Sequence, residues 1–178
     1  MSSELRVDKI VPVGGVAANS GNISYGGGIV QVVYNQINSS LGQYSSNSTS
    51  YNDTGHDVLI TPKFATSKIL VSVGVQIYST NSSYHAYVGI VKNDSGDFSG
   101  SGHPAGVLHH TSCLWENSGP GQAGNVSFQY LDSPNTTSQV KYSIYIKSDN
   151  TSNTVYINGS SHSDGYISAM EVSAKCQS

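Results

Sequence analysis

The sequence predicts an all-β chain: an antiparallel β-sandwich, jelly-roll-like, of about 8–9 strands with an extended N-terminal arm. Three observations lead there. Ser, Gly, Asn and Thr fill 75 of 178 positions, and Val plus Ile outnumber Leu plus Met by 30 to 9. That balance suits pleated sheet and turns and starves helices of the Leu, Ala, Glu and Lys they favour. Apolar residues recur every second position along several short runs, the period of a half-buried strand. Asn, Asp, Gly and Pro clusters separate those runs, and these residues suit turns because they tolerate positive φ or preset φ.

The elements follow in order. Residues 1–28 form the expected arm, with Leu5, Val7, Ile10, Val11 and Val13 ahead of a Gly-rich run that ends at Gly28. It is too short to own a core, so its apolar string reads as a docking arm for another protein's surface or sheet. A strand packed back on its own domain is the other reading. Residues 29–178 are the expected head. Its strand candidates begin with Ile29 to Asn35. Asn38 to Asn52, with seven Ser/Thr, reads as a long loop or irregular edge. After Val58 to Thr61 comes the clearest run. Its odd positions are Ile69, Val71, Val73, Val75 and Ile77, and its even ones Leu70, Ser72, Gly74 and Gln76. The alternation recurs from Tyr84 to Ile90, Val126 to Tyr130 and Tyr142 to Ile146. Val107 to Thr111, Thr154 to Ile157 and Tyr166 to Ala174 are shorter candidates.

Charge narrows the partners. Eight basic residues, of which only Arg6 is an arginine, and a net charge of -3 cannot supply the cationic stripe that nucleic acid demands. No window approaches the roughly 18 apolar residues of a membrane span. The opening MSSELRVDKI carries charges where a signal peptide needs an apolar stretch. Cys113 and Cys176 are too few for a disulfide scaffold and are expected as unpaired thiols of a reducing cytosol; one long-loop bridge is the alternative.

Several constellations invite chemistry. Ten Asn-X-Ser/Thr triplets, from Asn22 to Asn158, read as turn chemistry rather than glycosylation, because turns want both residue types. His109 and His110 are neighbours on a strand and so face opposite ways, which prevents them from sharing an ion within one chain. Asn93 to Asp97 offers closely spaced oxygens but lacks the acidic ladder and terminal Glu of a calcium loop. Glu116 and Asp132 are the carboxylates to pose as a glycosidase pair. There is no nucleophile elbow and no phosphate loop. No catalytic residue, metal site or cofactor is predicted. Surface recognition fits better, since Tyr supplies rigid amphipathic area and Ser, Gly and Asn supply adaptable hydrogen bonds. Tyr44, Tyr51, Tyr84 and Trp115 are the candidate recognition residues.

Ser3 to Pro12, Gly26 to Val33, Leu59 to Val71, Leu131 to Thr137 and Ile167 to Val172 together resemble small fibre proteins of tailed bacteriophages, marine and cyanobacterial ones especially. The resemblance follows the same order over nearly the whole chain. It implies a β-sandwich head that is usually homotrimeric, assembled in the bacterial cytoplasm into the virion and turned toward the host surface. Host glycan and another virion protein, the latter held by the arm, are the partners it implies. It transfers no catalytic residue. The chain departs from the pattern in having no shaft or heptads between arm and head. A capsid or neck decoration protein is therefore the alternative.

Assembly is expected on physical grounds too. Eight Lys/Arg leave few charges to guard edge strands against open-ended pairing. Closed rotational symmetry buries such edges against copies of themselves. With the family resemblance, this predicts a homotrimer with its three arms on one side.

Overall fold

Alternation of β-branched residues produces the strands, and their order produces the sandwich. The computed structural model describes residues 28–38, 43–81, 83–95, 106–113, 122–158 and 164–173. It contains β1 (Ile29–Ile37), β2 (Tyr44–Ser46), β3 (Asn52–Ile60), β4 (Lys68–Ser79) and β5 (Ala86–Lys92). The second half holds β6 (Val107–Cys113), β7 (Gln122–Asp132), β8 (Val140–Ser148), β9 (Val155–Ile157) and β10 (Gly165–Val172). One sheet, here sheet A, runs β1-β10-β4-β9-β2 with β7 on the far side of β4; sheet B runs β3-β8-β5-β6. All the pairings are antiparallel.

Without β2 and β9, the chain passes β1(A), β3(B), β4(A), β5(B), β6(B), β7(A), β8(B), β10(A). That is the two-Greek-key path of a jelly roll. β9 and β10 lie end to end along one side of β4, which is long enough to take both. Asn158 closes the gap between them in a left-handed conformation (φ 50). Its N–H donates to the Gln76 carbonyl at 2.8 Å and its Nδ2 to the Ile37 carbonyl at 3.2 Å. Asn93, Asp94 and Asn135 also have positive φ, in the turn clusters where sequence placed such residues.

The core lies between the sheets. Ile69, Val71, Val73, Val75 and Ile77 of β4 are all 3% exposed or less, facing Val88, Ile90, Tyr142, Ile144 and Ile146 of sheet B. The alternation in sequence therefore marks the buried face correctly. Two expectations need correction. The segment Asn38 to Asn52 is not wholly loop, because Tyr44–Ser46 pairs with β9 and Tyr44 packs on the core. Similarly, β3 starts at Asn52, six residues before the expected strand Val58 to Thr61. A bulge between Asp53 and Asp57 absorbs Gly55 (φ 73), and Thr54 Oγ1 donates to the Ile144 carbonyl at 2.7 Å.

Polar side chains clasp the sandwich at its ends. Glu171 continues the inward row of Ile167 and Ala169 and is 0% exposed. Its carboxylate accepts from the Lys63 N–H at 2.8 Å, the Phe64 N–H at 3.2 Å and Gln31 Nε2 at 2.6 Å. It thus ties the β3–β4 connection to β1 and β10. At the other end Asn153, also 0% exposed, accepts from Ser79 Oγ at 2.8 Å and donates to Ser148 Oγ at 3.0 Å, joining β4 to β8.

The arm, with Leu5, Val7, Ile10, Val11 and Val13, lies outside the described residues except for Gly28, whose carbonyl accepts the Ser173 N–H at 3.1 Å.

Burial by itself would raise the Glu171 pKa, but the donors around it, the Lys63 N–H first, hold it below its ordinary 4.5. A depressed folded-state pKa means that this stabilisation is fully present above pH 4.5 and is lost as pH falls through the folded value. Glu171→Gln should cost about 1.5–3 kcal/mol at neutral pH. It should also flatten the acid limb of stability, measured as urea midpoints between pH 3 and pH 7.

Candidate interaction surface

The two outer faces of the sandwich differ. On sheet B the central outward side chains are covered: Ser143, Tyr145, Lys147 and Val91 are all 5% exposed or less, whereas Leu59 on edge strand β3 is 47% exposed. Lys147 Nζ stands 5.0 Å from the ring centroids of both Tyr51 and Tyr87. Burial pulls its pKa down and the nearby Asp149 charge opposes this, while the two ring faces receive the ammonium. Tyr51 is 3% exposed, its hydroxyl 2.9 Å from His110 Nδ1, and burial pushes its pKa up. It therefore presents no ring to a partner, and its place among the recognition residues is corrected to the small core on sheet B.

Sheet A is open. On its outer side Val32, Met170, Leu70 and Leu131 sit directly opposite one another across β1, β10, β4 and β7. They form one apolar row from edge to edge, and Val32 and Leu131 are 52% and 54% exposed. The next rows are polar: Tyr34, Ser168, Ser72 and Gln129, then Gln36, Tyr166, Gly74 and Ser127. Tyr34 stacks on Tyr166 with centroids 6.0 Å apart. Tyr166 lies so close over Gly74 that a Cβ there would stand 2.5 Å from its Cε1. Along the outward positions of β1, β4, β7 and β10, Lys68 at the end of β4 is the single charge, and its ammonium is bonded to Ser133 Oγ.

The described residues among those singled out from sequence take separate places. Tyr44 is half-buried against the core, and Tyr84 is half-buried in the turn between β4 and β5. Trp115, Glu116 and Cys176 lie outside the described residues. His109 and His110 do face opposite ways: His110 meets Tyr51, and His109 packs 5.4 Å from Phe128 and 6.3 Å from Tyr130. No cluster of metal-ligating residues occurs among the described residues.

Asp94, the first of the two acidic residues between Asn93 and Asp97, is taken up by protein donors. Its carboxylate accepts from Lys141 Nζ at 2.7 Å and Ser143 Oγ at 2.8 Å. Burial opposes ionisation of Asp94, but these bonds outweigh it and lower the pKa. The outward row was missed because it is built from one residue per strand; Leu70, apolar among Ser72, Gly74 and Gln76, was its trace in sequence.

No protein-family model and no curated protein matches this sequence. Among solved structures, the chain is similar to that of infectious bursal disease virus, Gx strain, at 8% identity and a TM-score of 0.34, covering 97% of this chain and 45% of that one. Infectious bursal virus derived T=1 particles give 11% and 0.32, over 94% and 42%. The VP2 subviral particle of infectious bursal disease virus gives 10% and 0.29, over 94% and 44%. The chain spans less than half the length of these proteins, and values this low transfer no residue, ligand or partner to it.

Asp132 is held as a structural group. It is 5% exposed and accepts from Lys92 Nζ at 3.0 and 3.2 Å and from Tyr142 OH at 2.7 Å, linking β7 to β5 and β8. Asp132→Asn should lower stability by about 1–3 kcal/mol, read from the denaturation midpoint, because a charged acceptor is lost from a buried clasp.

Proposed function

We propose that this chain is a virion structural protein, the homotrimeric head of a tailed-phage fibre that contacts the host surface. One observation carries the reading: a jelly-roll head whose buried carboxylates, Asp132 and Glu171, serve to hold it together while one sheet face stands open. Fold alone does not specify a function. The sequence resemblance to small phage fibre proteins supplies the virion context, and the turn-rich, low-charge composition suits an exposed protein that needs neither disulfide nor cofactor. The arm, through Leu5, Val7, Ile10, Val11 and Val13, anchors the head to another virion protein.

A second reading, a capsid or neck decoration protein, draws on the short path from the apolar string to β1. Val13 and Ile29 are separated by a Gly-rich stretch with no room for a shaft. Labelling the protein on the particle separates the two, at the tail for a fibre head and on the capsid or neck for a decoration protein.

Light scattering at micromolar concentration should give a trimer. Deleting residues 1–24 should leave a soluble trimer that no longer joins the particle. The purified full chain should compete with phage for adsorption to susceptible cells. Failure to compete removes the host-contact role, and incorporation of the truncated chain removes the arm as anchor.

A further inference from the structure

Resting on the trimer reading above, we propose that copies of this chain meet through the outer face of sheet A. In the ring, the Leu131 end of the apolar row on one copy packs against the Val32 end on the next. The outer face of sheet B is covered at its centre, with Lys147 and Tyr145 buried, and its one exposed large apolar residue, Leu59, sits beside the charged pair Lys141 and Asp57, so sheet A is the sheet with an uncharged apolar face to offer. Charge identifies the occupant. The chain carries a net charge of -3, so copies repel in general. They approach without like-charge cost where the surface is uncharged, and this face holds only Lys68, at its rim. A strongly charged partner would find nothing there to pair with.

Four strands about 4.8 Å apart and a β7 about 37 Å long present roughly 550 Å² per copy. In a ring of three each face is shared between two neighbours, so one contact buries only roughly 550 Å² and the closed ring roughly 1,600 Å² in all; a single pair is too small to hold alone, and closure supplies the rest.

The row also has a direction. It starts on edge strand β1 with Val32 and ends on edge strand β7 with Leu131. Joining unlike ends is a heterologous contact, which closes into a ring when the rotation allows. Gly28 immediately precedes β1, and Val32 lies in the first half of that strand. The arm therefore joins the sheet at the end where the row lies. A ring built this way places all three arms at one end.

The test uses the full chain with Cys113 and Cys176 changed to Ser. The pair Val32→Cys with Leu131→Cys should form covalent trimers on mild oxidation, while either cysteine alone should form no covalent species. In parallel, Leu131→Glu with Val32→Glu should turn the trimer into a monomer that still melts cooperatively. Ser127→Arg, on the polar part of the same face, should weaken the trimer at least tenfold. Leu59→Glu, equally exposed but on β3, should leave it intact. A trimer that survives the glutamate pair and Ser127→Arg overturns this face while sparing the trimer itself. Covalent dimers from a single cysteine overturn the ring arrangement. A monomeric wild-type chain overturns the trimer reading and this inference together.

Discussion

The structure depends on the burial of one ridge. The inward residues of β4, Ile69 to Ile77, press against β8 and β5 of the opposite sheet, and β4 pairs with β7 on one side and with β10 and β9 on the other. Burying an aliphatic side chain of this size contributes about 1.5–3 kcal/mol, and the ridge has five of them. In a chain that is only 37% hydrophobic, few other places concentrate so much of the driving force. Each strand of sheet A is positioned by its register on β4, either directly or through β9 or β10.

Hydrophobic burial leaves the ends of the sandwich to be closed by other means. Here polar side chains do it, each bonded to partners far away in sequence. Glu171 gathers the β3–β4 connection, Asp132 joins β7 to β5 and β8, and Asn153 joins β4 to β8. Buried polar groups of this kind are tolerable only when their partners are present. Their cost and their specificity are therefore the same fact. Side-chain amides close one edge as well: Gln31 and Asn35 of β1 donate to the Thr61 and Asp57 carbonyls, at 2.7 and 2.8 Å, so that β1 and the β3 region are bridged.

The unequal outer faces connect this architecture to function. Sheet B covers the centre of its outer side with an aromatic and lysine cluster, which holds Tyr51, Tyr87 and Lys147 together within the molecule. Sheet A keeps an apolar row and an uncharged polar field in the open. Such an arrangement suits assembly better than solution chemistry. It agrees with the proposed place of this protein in a virion.

By itself the sequence determined the strongly alternating strands, their buried faces and the turns between them, because period-2 alternation and positive-φ residues act locally. Ile69 to Ile77, Asn93 and Asn135 were legible for that reason. Only the tertiary structure decided the jelly-roll order, the strand hidden in Tyr44–Ser46 and the burial of Tyr51. Each of these depends on partners at long sequence separation: Ile157 for Tyr44, and His110 and Lys147 for Tyr51. The same holds for the candidate surface. Val32, Leu70, Leu131 and Met170 are single apolar residues on four separate strands, and register alone makes them one row.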